Sequence, residues 1–148
     1  MNLLQKLTSL IGRVLTVLAL VTMLGIGFST PSYAATPARF VFTDLAGGSE
    51  FVIELTDESK IQKARNILNG TEKEQTHVLG RIIKKSAPYN PGWSYQLEPA
   101  TIDFFSFAIE VCDSSIMYLE DHLDEAGGAF LPGALWCPWS SRLVKEIK

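Results

Sequence analysis

The sequence offers little of the machinery that most catalytic sites require. It contains only two histidines, His77 and His122, and no nucleophile elbow, phosphate-binding glycine loop or His-Glu-x-x-His zinc helix. His122 stands among acidic residues on a predicted helix. Carboxylates on a helix splay apart instead of converging on one ion, so this pattern is typical of a solvated face. We therefore expect no enzymatic activity, no metal site and no cofactor.

An excess of positive charge is also missing. The chain has 13 lysines and arginines against 16 acidic residues, which gives a formal net charge of −3. Two of the basic residues and none of the acidic ones lie in residues 1–34, so the other 114 residues carry a net charge of −5. Scattered lysines on an acidic domain do not form the basic patch that binding to nucleic acid or to an anionic membrane surface requires. We expect neither as a partner.

No apolar run reaches the length of about 20 residues that a typical membrane span needs. Residues 14–28 form an uncharged, largely apolar run of 15 residues that follows Lys6 and Arg13. Ser32-Tyr33-Ala34 then places small residues at the two positions that a signal peptidase inspects. This arrangement predicts a signal peptide over residues 1–34.

Residues 35–148 then form the mature protein, which we expect to be secreted or periplasmic. This length suffices for one domain with a single core. An uncleaved leader that anchors the chain is the alternative, and only in that case would a membrane be a partner.

Cysteine is scarce as well, since the chain has only Cys112 and Cys137. Two cysteines in an exported protein pair more often than not. A bridge between them would close a loop of 25 residues, for which the chain-entropy estimate is about 3 kcal/mol. Two buried free thiols or a metal-binding pair are the alternatives.

Hydrophobic periodicity predicts an α+β domain. Residues 39–44 and 50–55 alternate with period two around a glycine turn, which indicates a hairpin. Apolar residues at helical spacing predict a helix over residues 58–68 that Asn69-Gly70 ends. The remaining predictions are strands over 77–85, 93–98, 102–112 and 142–147, and a second helix that begins after Asp113 or Ser114 and ends at Gly127. The order β-β-α-β-β-β-α-β favours one domain with a mainly antiparallel sheet.

The segment 102–112 is apolar on both faces, which is typical of a central strand covered on both sides. Glu110 lies within it, and a buried carboxylate must be paired or have its pKa raised by desolvation. Arg81 and Arg142, both on predicted strands, are the candidate partners. We favour a structural ion pair, with a ligand-binding acid as the alternative.

Aromatic residues beside prolines are the best candidates for a functional surface. Prolines stiffen the backbone, and a rigid loop that presents tryptophan suits stacking on a sugar or docking into a partner's pocket. The candidates are Tyr89, Trp93, Trp136 and Trp139. The alternative is that they are core residues.

These residues favour a small non-enzymatic binding module for an extracytoplasmic protein or carbohydrate. The alternative function is inhibition of an extracellular hydrolase or protease. Residues 88–92 or 130–139 would then be the stiff loop that such an inhibitor presents.

Four blocks of the sequence carry a resemblance to a known family. They are YNPGWSY at 89–95, EPATI at 98–102, AIEVCD at 108–113 and WCPWSS at 136–141. Together they resemble a family of small exported domains labelled calmodulin-binding-protein-like, over most of residues 38–147.

The resemblance implies a stand-alone secreted domain with a disulfide between Cys112 and Cys137, and it implies no reaction. The family label makes calmodulin binding a further alternative function. Calmodulin targets are basic amphipathic helices, whereas the first predicted helix has mixed charge and the second is acidic.

Overall fold

The computed structural model describes residues 36–44, 48–108 and 111–148, and these residues belong to one compact unit. In chain order the elements are β1 (Ala38–Thr43), β2 (Glu50–Leu55), α1 (Glu58–Leu68), β3 (His77–Ile83), β4 (Gln96–Leu97), a 3-10 turn (Pro99–Thr101), β5 (Asp103–Phe105), α2 (Ile116–Asp121), β6 (Ala126–Gly127), β7 (Phe130–Pro132), β8 (Leu135–Trp136) and β9 (Arg142–Ile147). The predicted α+β single domain is confirmed. The three short strands β6, β7 and β8, which lie between α2 and β9, were not predicted.

The first sheet has the strand order β2-β1-β9 and is antiparallel throughout. The predicted hairpin of β1 and β2 is confirmed, with Ala38 opposite Leu55 and Thr43 opposite Glu50. Period-two alternation sends one set of side chains to the core, where Phe40 and Phe51 are completely buried. The edge strand β9 carries a bulge, because Leu143 and Lys145 pair with consecutive residues of β1.

Helix α1 forms where helical periodicity predicts it. The Asp57 side chain accepts a hydrogen bond from the Lys60 backbone N–H at 3.1 Å and so caps the first turn. Ile61 and Ala64 face the core, and the helix ends before Gly70, whose φ of +78° suits glycine.

The second sheet is organised around β3, which pairs antiparallel with three short strands in turn. Its first residues pair with β5, its middle with β8 and its end with β4. Gly80 allows this close packing, because a Cβ there would lie 3.1 Å from Leu97 Cδ1 and 3.3 Å from Ile102 Cγ1. The strands β6 and β7 form a separate parallel pair.

The segment 102–112 differs from its prediction as a central strand. Among its described residues, 102–108 and 111–112, only Asp103–Phe105 form a strand, and Phe107 beyond it is 69% exposed. The apolar residues of this segment serve two environments, since Phe104 joins the main core whereas Phe105 packs in a second cluster with Cys112 and Cys137. Residues 106–108 therefore do not continue the strand that the apolar pattern of this segment predicts.

The strand predicted over residues 93–98 is limited to Gln96–Leu97, and the second helix is also shorter than predicted. Its cap is Ser115, whose side chain accepts a hydrogen bond from the Tyr118 backbone N–H at 3.1 Å. Helical geometry ends at Asp121, because His122 has φ −122° and ψ 27°.

The main core is rich in aromatic contacts centred on Trp136. Its ring lies 5.7 Å from Phe42, 5.5 Å from Phe51 and 5.6 Å from Tyr95, measured between centroids. The buried Tyr95 hydroxyl donates a hydrogen bond to the Ile116 carbonyl at 3.2 Å, and burial raises the pKa of Tyr95 far above its ordinary value.

No helix in the described part of the chain is long and apolar enough to cross a membrane. The predicted signal peptide over residues 1–34 lies outside the described residues and stays a prediction.

Candidate functional site

A disulfide joins Cys112 to Cys137 and ties the segment after β5 to the segment after β8. The two Cα atoms are 5.2 Å apart, and the Cys137 backbone N–H donates a hydrogen bond to the Cys112 carbonyl at 2.8 Å. Both cysteines are buried, at 1% and 0% exposure. The predicted bridge is confirmed, and the alternatives of free thiols or a metal-binding pair are wrong.

An exposed aromatic group lies beside this disulfide. The Trp139 ring is 5.4 Å from that of Phe107 in an edge-to-face arrangement and 6.3 Å from that of Phe105. Phe107 is 69% exposed and Trp139 is 38% exposed, whereas Phe105 is buried beneath them. We call these three residues the Trp139 patch.

The backbone that carries Trp139 is held at several points. Its N–H donates a hydrogen bond to Asp113 Oδ1 at 2.9 Å, and the disulfide lies two residues before it. Two residues after Trp139, the buried Ser141 hydroxyl accepts a hydrogen bond from the Val78 N–H at 2.8 Å. The position of Trp139 is therefore tied to both β3 and the segment that follows Cys112.

Trp136 does not belong to any surface, although it shares a four-residue motif with Trp139. It is completely buried, and its indole N–H donates a hydrogen bond to the Ser114 carbonyl at 3.0 Å. Its prediction as a contact residue is wrong, because its ring is buried among the rings of Phe42, Phe51 and Tyr95.

The loop that contains Tyr89 and Trp93 covers the outer edge of β2. The Trp93 indole N–H donates to the Glu50 carbonyl at 2.9 Å. The Asn90 side chain accepts from the Val52 N–H at 3.2 Å and donates to the Val52 carbonyl at 3.4 Å. These contacts satisfy backbone groups that an edge strand would otherwise expose, so this loop has a structural role. Trp93 itself is half-buried.

Asn90 is a residue that the sequence analysis missed. It is only 3% exposed, and an amide side chain that is buried to this extent is nearly always hydrogen-bonded. Its position between Tyr89 and Pro91 indicates only a turn. Its strand-like contact with Val52 joins residues 38 positions apart, so no local signal predicts it.

Tyr89 is half-buried and lies against an ion pair of the first sheet. The Arg39 guanidinium sits 4.8 Å from the centre of the Tyr89 ring, and Arg39 Nε donates to Glu54 Oε2 at 2.9 Å. The Tyr89 hydroxyl donates to Gln96 Oε1 at 3.3 Å. Burial, aided by the Glu54 carboxylate, raises the pKa of Tyr89.

The two arginines proposed as buried partners of Glu110 are both exposed. Arg81 Nη1 donates to the Gly133 carbonyl at 2.7 Å, and Arg142 lies at the start of the edge strand β9. Neither arginine is therefore a buried charge, which corrects that part of the prediction. Glu110 lies outside the described residues, and its pairing stays a prediction.

The two histidines lie in separate parts of the domain. His77 Nδ1 is 3.0 Å from the Ser141 carbonyl oxygen, and the His122 ring stacks on Tyr118 with centroids 4.0 Å apart. Among the described residues, no three His, Cys, Asp or Glu side chains are placed to hold a metal ion together.

Comparison with known proteins identifies the family. A search of curated proteins found no match, and a search of solved structures also found none. The family model of the BP-74 N-terminal domain matches residues 36–148, which is the whole described domain. This is a calmodulin-binding-protein-like family, as the resemblance implied. The chain belongs to the BP-74 N-terminal domain family.

Proposed function

We propose that this chain is an exported, non-enzymatic binding module that contacts its partner through the Trp139 patch. The observation that carries the proposal is the exposure of two adjacent aromatic rings, with Phe107 at 69% and Trp139 at 38%. Single exposed apolar residues are ordinary, but neighbouring large aromatics at a surface are enriched where proteins bind partners.

The rigidity of the patch supports this role. Binding costs free energy whenever it orders a mobile side chain or loop, and a surface that is already held avoids part of that cost. Trp139 is held through the disulfide two residues before it and through its hydrogen bond to Asp113. The partner is an extracytoplasmic protein or carbohydrate, because both present groups that pack on a flat aromatic ring.

Export is supported by two separate features. Residues 14–34 have the composition of a signal peptide with its cleavage site. The Cys112–Cys137 disulfide fits the oxidising compartments outside the cytoplasm. We expect the exported protein to begin at Ala35, and intact-mass measurement of the exported form tests this. Recovery of a mass for residues 1–148 in the membrane fraction would contradict it.

Inhibition of an extracellular hydrolase or protease is the second candidate. Trp139 belongs to the segment 130–139, and its fixed backbone favours this segment as an inhibitory loop. The segment 88–92 is less suitable, because the Asn90 side chain is hydrogen-bonded to Val52 at the edge of β2.

Calmodulin binding is not favoured by the helices. A calmodulin target offers one apolar helix face to the partner. In α1 the apolar residues Ile61 and Ala64 are 1% and 0% exposed, so the apolar face of this helix is already buried in the core. Helix α2 has only six residues.

The binding proposal is tested with the protein and two variants. We expect binding to one of a set of immobilised polysaccharides or extracellular proteins, and Trp139→Ala should weaken it about tenfold or more, as loss of a central aromatic does. Val144→Ala, at another exposed apolar residue on β9, is the matched control. A panel of secreted proteases, assayed for loss of activity, separates inhibition from simple binding. Equal binding by both variants would contradict the proposed surface.

A further inference from the structure

A pocket of about 370 Å³ opens on the first sheet, on the face opposite the core. It is lined by Pro37, Arg39, Glu54, Ile147 and Lys148. Arg39 of β1 stands directly opposite Glu54 of β2 on one side and Ile147 of β9 on the other. Side chains directly opposite each other in an antiparallel sheet point to the same face. The volume falls within the range of small-molecule sites, about 300 to 1,000 Å³.

Arg39 is held in place inside this pocket. Its Nε donates to Glu54 Oε2 at 2.9 Å, and its guanidinium packs on the ring of Tyr89 at 4.8 Å. Its two terminal nitrogens make no hydrogen bond to another residue of the described chain. The Arg39 side chain is also 48% exposed. A ligand would therefore meet a guanidinium that is already oriented and has donors available.

The lining residues define the chemistry of a ligand. A guanidinium donates two parallel N–H groups in a geometry that matches a carboxylate. The terminal N–H donors of Arg39, which are exposed and not engaged by Glu54, therefore favour an anionic carboxylate as the ligand. Pro37 and Ile147 supply an apolar wall beside these donors.

We propose that this pocket binds a small organic carboxylate, with its carboxyl group on Arg39 and a short apolar chain against Ile147 and Pro37. The Glu54 carboxylate holds Nε and so leaves the terminal nitrogens to the ligand. Tyr89 supports the guanidinium from one face, which gives this aromatic residue a positioning role. The proposal is independent of the Trp139 patch, because the two share no residue.

The test is a titration of the full chain with butyrate, followed by ¹H–¹⁵N NMR. We expect saturable shifts at the Arg39 Nε–H and at the backbone amides of Glu54, Ile147 and Lys148. Arg39→Gln should weaken binding about tenfold or more, because a charge-assisted hydrogen-bonded pair is lost. Arg39→Lys should weaken it too, since lysine keeps the charge but lacks the planar fork.

Two controls separate this site from general attraction to anions. Arg142→Gln removes the same charge from another exposed arginine of the first sheet and should leave butyrate binding within about twofold, because that residue does not line the pocket. Butyramide, the neutral analogue, should not bind. Shifts that fail to saturate, equal binding by Arg39→Gln and Arg142→Gln, undiminished binding by Arg39→Lys, or binding of butyramide would each overturn the proposal.

Discussion

The side chain of Asn90 occupies the place of a neighbouring strand beside Val52. Its amide oxygen accepts from the Val52 N–H at 3.2 Å, and its amide nitrogen donates to the Val52 carbonyl at 3.4 Å. An exposed strand edge invites pairing with another chain, and proteins protect such edges with covering loops or with bulges. This sheet does both, because β9 at the opposite edge carries a bulge at Val144.

Removal of the Asn90 amide should destabilise the domain. Asn90→Ala leaves the N–H and the carbonyl of Val52 without their partner, and we expect the free energy of unfolding to fall by about 1–3 kcal/mol. Urea denaturation measures this change. Asn69→Ala, at an exposed asparagine after α1, is the control and should cost less. An equal loss in the free energy of unfolding for the two variants would contradict the stabilising role of the contact with Val52.

The Asn90→Ala variant should also associate with itself more than the parent protein does. Sedimentation at increasing protein concentration measures this, because an uncovered β2 edge can pair with a second copy. A variant that stays as monomeric as the parent would contradict the protective role of the loop.

The disulfide should stabilise the domain and resist chemical attack in the native state. Replacing both Cys112 and Cys137 with alanine should lower the free energy of unfolding by about 3 kcal/mol, the chain-entropy estimate for a loop of this length. Because both sulfurs are buried, alkylation after mild reductant should be slow until denaturant is added. Rapid labelling of two thiols in the native protein would contradict this expectation.

The two tryptophans of the 136–139 segment should respond in opposite ways. Trp136→Ala should cost about 3–5 kcal/mol of stability, as large-to-small changes in a core do. Trp139→Ala should cost much less, since its ring is 38% exposed. Thermal unfolding measures the stabilities, and acrylamide quenching of the parent protein should reach Trp139 most readily. Comparable losses of stability would place Trp139 in the core.

The Arg65–Glu146 ion pair should stabilise the domain at neutral pH and lose this effect at acid pH. Arg65 donates from Nη2 and Nε to the Glu146 carboxylate at 2.7 and 3.1 Å, which lowers the pKa of Glu146. A carboxylate whose pKa is lower in the folded state contributes stability above its unfolded pKa, and this contribution is lost as pH falls through the folded pKa.

Glu146→Gln should therefore lower the melting temperature at pH 7 and have a smaller effect at pH 3, because the contribution of the ion pair decreases once the pH falls below the unfolded pKa of glutamate. Glu74→Gln, at an exposed glutamate, is the control. A difference between Glu146→Gln and the parent that is the same at both pH values would contradict the role of the ion pair.

Local patterns in the sequence were sufficient to predict the bounds of those elements whose side chains alternate between core and solvent. The β1–β2 hairpin and helix α1 have the predicted bounds, within one residue at each end. Their periodicity depends on neighbouring residues along the chain, which is what a sequence displays directly. The pairing of Cys112 with Cys137 could be predicted because the chain has only two cysteines and a predicted signal peptide.

Tertiary structure alone decided which aromatic residues are exposed. Trp136 and Trp139 flank the same Cys-Pro pair, yet the first is at the centre of the core and the second is at the surface. Beyond β5 Phe107 is exposed, whereas Phe105 is buried in a cluster with Cys112 and Cys137. Asn90 meets Val52, and Arg39 meets Tyr89, across long separations in sequence. Burial depends on which distant residues arrive beside a side chain, and residue type and local spacing do not specify those neighbours.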